Sequence, residues 1–170
     1  MTRSYLQFWL FCTLLFSLIT AASATERGQI APDFELPVLQ QEQAINLAQY
    51  RGKVIYVDFW ASYCVACRLT MPVLNQLKAQ FGEQGFEVLA VNIDEHQREA
   101  LAEMQKQSLN YPVLWDQNGD VAHDYGVQVL PSGYLVDAQG IVRLVQIGMS
   151  QKHQQFLAAV IDKLLAERIN

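Results

Sequence analysis

Charges, cysteines and chain-breaking residues are all sparse. Asp, Glu, Lys and Arg make up 17% of 170 residues, and no run of basic side chains occurs. The net charge of -5 therefore comes without the cationic stripe that a phosphate backbone requires, which speaks against a nucleic-acid partner. With 5 Pro and 9 Gly against 51% hydrophobic residues, a disordered or collagen-like chain is excluded. Repeats, low-complexity tracts and interdomain linkers are also missing, so a single domain with a sizeable core is expected.

The first residues do not read as part of that domain. Leu6 to Ile19 is an apolar stretch of 14 residues behind Arg3, too short to span a bilayer comfortably. It ends in Thr20-Ala21-Ala22-Ser23-Ala24, with small residues where a signal peptidase reads before a cut after Ala24. Met1 to Ala24 is read as a secretory signal peptide, which places the domain, residues 25–170, in the periplasm or another extracytoplasmic space. The alternative is an uncleaved membrane anchor. Cys12 follows the bulky Phe11, where a lipoprotein cleavage site needs a small residue, so no lipid is expected there.

Setting Cys12 aside leaves Cys64 and Cys67 as the only pair in an oxidising compartment. Their structural reading is a staple, but closing so short a loop stabilises by roughly 2 kcal/mol, against about 3 for fifteen residues. A zinc site needs four ligands and there is no second cysteine pair. Exchange chemistry suits the spacing better. At the first turn of a helix the backbone N–H groups lack intrahelical partners and the dipole is positive, which favours a thiolate. Residues three apart share a helix face, so Cys67 can close a disulfide on Cys64. The expected mechanism has Cys64 attack a client disulfide and Cys67 resolve the mixed disulfide.

Around this pair the periodicities give a mixed α/β order. Ile30 to Tyr50, broken by Pro32 and Pro37, reads as a short edge hairpin. Val54 to Trp60 reads as a central strand, and a helix runs from the cysteines to Phe81-Gly82 with a kink expected at Pro72. Phe86 to Ile93 supplies a second core strand and completes a βαβ unit. Further on come a polar helix over Glu95 to Ser108, a strand at Pro112 to Trp115 and a brief helix near Val121 to Tyr125. Gly133 to Val136 and Ile141 to Val145 form an antiparallel hairpin, and Gln151 to Arg168 a closing amphipathic helix.

The run Val57-Asp58-Phe59-Trp60-Ala61-Ser62-Tyr63-Cys64-Val65-Ala66-Cys67, followed by Pro72 and later by Val129-Leu130-Pro131-Ser132, resembles the thioredoxin superfamily. The segment between Asp94 and Tyr125 and the Ala31-Pro32-Asp33-Phe34 opening are similar to the exported branch typified by TlpA and ResA-like thiol-disulfide oxidoreductases. The resemblance covers about Ile30 to Gly148. It implies a thioredoxin fold, in which a mixed central sheet is flanked by helices and carries an N-terminal hairpin and an inserted helix and strand. It further implies dithiol-disulfide exchange, with Cys64 attacking, Cys67 resolving, Pro131 as the cis-proline beside the site and Trp60 as the tryptophan before the motif. An ordinary trans loop proline is the alternative at Pro131.

Asp58 lies in an apolar strand, where a carboxyl is costly unless neutral or hydrogen-bonded, so its pKa should be raised. It matches the buried aspartate of thioredoxins and is expected to be the general acid/base for Cys67. The alternative is a solvated Asp on an edge strand. Val65-Ala66 brings neither proline nor histidine between the cysteines, Tyr63 replaces a tryptophan, and Thr70, Ala90 and Ser132 stand where relatives often carry Glu, Lys and Glu. Proton handling is left to Asp58. His96, His123 and His153 read as surface residues, although Sco-like copper chaperones share the fold and would use the cysteine pair with a distant histidine, here His123. No cofactor and no metal is expected for the oxidoreductase. Its implied partners are client protein disulfides and a transmembrane thiol donor, with the reducing direction favoured by the TlpA and ResA resemblance.

Overall fold

In the computed structural model, residues 24–148 and 150–169 are described, so all of the expected signal segment except Ala24 lies outside the described residues. Along the chain come strands β1 (Glu35–Pro37), β2 (Ala44–Asn46) and β3 (Val54–Trp60), helix α1 (Val65–Phe81), β4 (Phe86–Asn92) and α2 (Gln97–Met104). There follow β5 (Val113–Trp115), α3 (Asp120–Asp124), β6 (Ser132–Val136), β7 (Val142–Ile147) and α4 (Gln151–Ile169). No helix among the described residues is long and apolar enough to cross a membrane.

Every residue of β3 is buried, as its β-branched and aromatic run demands. It is the middle strand of a five-stranded sheet ordered β5-β4-β3-β6-β7. β3 and β4 are parallel, joined by the α1 crossover, and so are β4 and β5, whereas β3 with β6 and β6 with β7 run antiparallel. The pleat sorts β3 onto two layers. Val54, Tyr56 and Trp60 pack with Cys67, Met71 and Leu74 of α1 and with Leu157 and Ile161 of α4. Ile55, Val57 and Phe59 pack on the opposite side with Phe34, Leu36, Tyr125 and Tyr134. Each such aliphatic side chain withdrawn from water contributes about 1.5–3 kcal/mol.

Most elements lie within two residues of the sequence reading, and the larger differences have tertiary causes. The hairpin is a separate two-stranded sheet, β1 with β2, which reaches the main sheet through a Val38–Leu114 bridge and a Leu39 N–H donated to the Val113 carbonyl at 2.8 Å. It thereby shields the β5 edge. The polar helix stops at Met104 instead of Ser108, because Asn75 of α1 donates to the Ser108 carbonyl at 2.7 Å and accepts from the Asn110 N–H at 3.0 Å, pinning the chain out of helical register. β7 starts one residue later and runs on to Ile147, since Gln146 is paired with Gly133 and Ile147 with Ser132. α1 runs on through Pro72, which sits on its exposed side.

On the far layer, Tyr125 is fully buried and its hydroxyl donates to the Pro32 carbonyl at 2.9 Å, while the Tyr134 hydroxyl donates to the Tyr125 carbonyl at 2.9 Å. Removing only the Tyr125 hydroxyl, in Tyr125→Phe, should cost about 1–2 kcal/mol by leaving the Pro32 carbonyl without its donor. Tyr125→Ala should cost about 3–5 kcal/mol through the cavity it opens. Urea unfolding of the three proteins measures both, and equal losses would contradict this division.

Candidate active site

The loop Ala61-Ser62-Tyr63 leads from the carboxyl end of β3 into α1 and is held by a residue not singled out by the sequence reading. Asp94, buried just past β4, accepts the Ser62 N–H on both carboxylate oxygens at 3.1 and 3.0 Å, and the Ser62 hydroxyl at 3.1 Å. Asn92 donates to the same carboxylate at 2.8 Å, and the Trp115 indole donates to the Asp94 carbonyl at 2.8 Å. The signal available in the sequence was an acid at the end of a core strand with no cation beside it. Asp94 is a positioning residue for the loop that presents Cys64.

Cys64 is the N-cap of α1 and Cys67 lies in its first turn. The two sulfurs are bonded at 2.07 Å, with Cα atoms 5.3 Å apart. Their surroundings differ sharply: Cys64 is partly exposed, and Cys67 is 0% exposed. The Cys67 N–H is shared between the Cys64 carbonyl and Cys64 Sγ, at 3.1 Å from each, so a helix-terminal donor is already aimed at the outer sulfur. Once the bond is reduced, that donor and the helix dipole favour a Cys64 thiolate. Val65 and Ala66 add no polar side chain. Arg68, which follows Cys67, meets Glu103 of α2 at 3.5 Å. That carboxyl is held below the usual carboxylate range, first by the hydrogen bond from Lys106 and then by the charges of Lys106 and Arg68.

Alternation along β3 puts Tyr56, Asp58 and Trp60 on the layer that holds Cys67. Asp58 is 2% exposed on the central strand, opposite Ala90 of β4 and Gly133 of β6. Burial alone pushes its carboxyl from 3.8 up to about 8. Among the described residues no cation offsets the desolvation, in keeping with Ala90 in place of a lysine. Trp60 is fully buried, and its indole N–H has no hydrogen-bond partner among the described residues. Thr70, buried one turn beyond Cys67, donates to the Cys67 carbonyl at 2.8 Å.

The peptide bond between Leu130 and Pro131 is cis. Its loop is fastened on both sides: the Gly148 N–H donates to the Pro131 carbonyl at 2.9 Å, and the Ser132 hydroxyl donates to the Val129 carbonyl at 2.7 Å. Leu130, Val129, Gln128 and Val127 line, with Tyr63, Cys64 and Ile93, an open groove of about 410 Å³. The structure thus brings Cys64, Cys67, Asp58, Trp60 and Pro131 to one end of β3. It leaves the histidines apart. His123 is exposed on α3 beside Asp124, at 3.5 Å, and His153 meets Gln146 at 3.2 Å. Among the described residues no three His, Cys, Asp or Glu side chains are grouped as a metal site.

A disulfide pair with one residue partly exposed and one buried, at the start of the helix that follows a central strand and beside a cis-proline loop, defines an oxidoreductase of thioredoxin architecture. The chain belongs to the AhpC/TSA family, whose profile matches residues 27–145. It is 33% identical over 140 residues to the thiol-disulfide oxidoreductase ResA of Geobacillus thermodenitrificans (strain NG80-2), an alignment that covers 82% of this chain and 80% of that protein. It is 30% identical over 132 residues to the thioredoxin-like protein YneN of Bacillus subtilis (strain 168), covering 76% of each. A Chlorobium tepidum structure assigned as thiol:disulfide interchange protein DsbE superposes with a TM-score of 0.80 at 33% identity, over 84% of this chain and 99% of that one. The protein is a thiol-disulfide oxidoreductase.

The Asp58 carboxyl couples the site to stability. Folding favours its protonated form, so its contribution is fully present below about 4 and is lost as pH climbs through about 8. That interval corresponds to at most roughly 5–6 kcal/mol. Relative to Asp58→Asn, the parent protein should lose stability steadily from pH 4.5 to pH 8 and then level off. Denaturant unfolding of both disulfide forms across this range measures the difference, and parallel profiles would contradict a buried, neutral Asp58.

Proposed function

We propose that this oxidoreductase is exported, acts on the disulfides of client proteins, and works as a reductase recharged by a thiol donor in the membrane. The observation that supports the assignment of roles is the unequal burial of the two sulfurs: a client can reach Cys64 and cannot reach Cys67. In the reduced protein the Cys64 thiolate attacks one client sulfur. A bond forms between Cys64 and the client, the client disulfide breaks, and its other sulfur leaves as thiolate. Cys67 then gives its proton to the Asp58 carboxylate and attacks Cys64 Sγ. The Cys64–Cys67 bond forms and the second client sulfur leaves with the electron pair. Two electrons have passed to the client, and the donor must return them.

The groove beside Cys64 is suited to a client backbone held alongside the cis-proline loop, and its walls are uncharged. Trp60 closes the floor of the site as a packing partner of Cys67. The reducing direction is supported by the resemblance to TlpA and ResA-like proteins and by the sparse stabilisation of the outer thiolate. Strong oxidants hold their reduced form low in energy, whereas here the thiolate has helix N–H groups and no side-chain donor between the cysteines. Export is supported by the apolar segment before Ala24.

With insulin as client, Cys64→Ser should abolish disulfide reduction. Cys67→Ser should accumulate a mixed disulfide and lower turnover on the order of 100-fold or more, since an external thiol must replace an intramolecular one. In the same preparation, equilibration of the parent couple with glutathione should give a potential on the order of -250 mV or lower, far from the about -120 mV of strong oxidants. Normal turnover by Cys67→Ser contradicts the roles, and a potential near the oxidant end contradicts the direction.

A further inference from the structure

β6 contains a glycine that no turn demands. Gly133 sits inside the strand, directly opposite Asp58, and its φ does not fall in the left-handed region. Strand glycines weaken a sheet and mark places where another group comes close. Here that group is Tyr56: a Cβ on Gly133 would lie 1.9 Å from the Tyr56 phenol oxygen and 2.2 Å from the ring carbon that bears it. The phenol occupies the space that a side chain opposite Asp58 would fill. Facing residues of an antiparallel pair have Cβ atoms about 5 Å apart, so the hydroxyl shares the carboxyl's side of the sheet, although in this disulfide form the two make no hydrogen bond.

We propose that Tyr56 is a positioning residue that sets the ionisation of Asp58, its hydroxyl seated in the notch left by Gly133 and taken up by the carboxylate when Asp58 ionises. The inference rests on the reading of Asp58 as proton acceptor for Cys67. Tyr56 is 1% exposed, and the charge of Asp58 adds to burial in pushing its phenol well above 10.0. The neutral O–H is therefore the form present, and as a donor it favours the carboxylate. Among the described residues, the other titratable groups on this layer are the reduced Cys64 and Cys67 and Tyr111 before β5, whose phenol is also raised first by burial and then by Asp58 and stands 3.5 Å from the Met71 carbonyl. Lys78 of α1 is engaged by Glu87 at 2.8 Å. β4 faces Asp58 with Ala90, and α4 brings Leu157, Ile161, Leu164 and Leu165 to the layer.

Tyr56→Phe keeps the ring and removes the donor. Carbon-13 NMR of aspartate-labelled reduced protein, with Asp58→Asn to assign the signal, follows the carboxyl directly. Rapid-mixing kinetics follow resolution of the mixed disulfide with pH. In Tyr56→Phe the Asp58 midpoint should rise by about one pH unit or more, and the resolution profile should move with it, about tenfold slower at pH 7 and converging with the parent at high pH. Gly133→Ala, which expels the phenol without deleting it, should shift the carboxyl the same way and serves alone should Tyr56→Phe not fold. An unmoved Asp58 midpoint in the folded variant, even with lowered stability, overturns the proposal. A midpoint that rises while resolution keeps its profile upholds the role of Tyr56 and instead overturns that of Asp58.

Discussion

A single covalent bond crosses the boundary between solvent and core. Cys64 caps α1 where the helix offers unpaired N–H groups, and Cys67 lies fully buried within its first turn. Everything nearby follows from holding two chemically identical sulfurs in two different environments. β3, buried along its whole length, supplies the floor. Asp94 ties down the loop between strand and helix through three contacts with Ser62. A reactive thiolate at an exposed helix end is stabilised by dipoles alone, while a buried thiol cannot ionise unless a neighbour takes its proton. Asp58, whose carboxylate burial makes basic enough to titrate at about 8, is the group on that layer suited to do so.

Much of this was legible in the sequence because it is local. The apolar run of Val54–Trp60, the cysteine spacing and the 3.6-residue pattern after them specify a buried strand feeding a helix, and the structure has both. The place of Asp58 was legible for the same reason, as a lone carboxyl in an apolar run. The cis bond before Pro131 was accessible only through family resemblance, since nothing local distinguishes it from other proline bonds.

What escaped the sequence depends on register and distance along the chain. Asp94 reaches Ser62 from 32 residues away, and no periodicity announces that pairing. The seat of the Tyr56 phenol exists because β6 pairs with β3 so that Gly133 falls opposite Asp58; shifted by one residue, the notch would face the other layer. Asn75 ends α2 early by capturing Ser108 and Asn110, a tertiary effect that overrides local helical preference. These long-range contacts all bear on α1, β3 or the loop between them, so the layer that determines the chemistry is also the one least visible in one dimension.

The difference between the two sulfurs can be read directly by differential alkylation of the reduced protein. With iodoacetamide across pH 5 to 9, Cys64 should be labelled first, with a reactivity midpoint below the about 8.5 of a free thiol. Cys67 should stay unlabelled until the protein is unfolded. Equal labelling of both thiols, or a Cys64 midpoint at or above that of a free thiol, would contradict the asymmetry on which the mechanism rests.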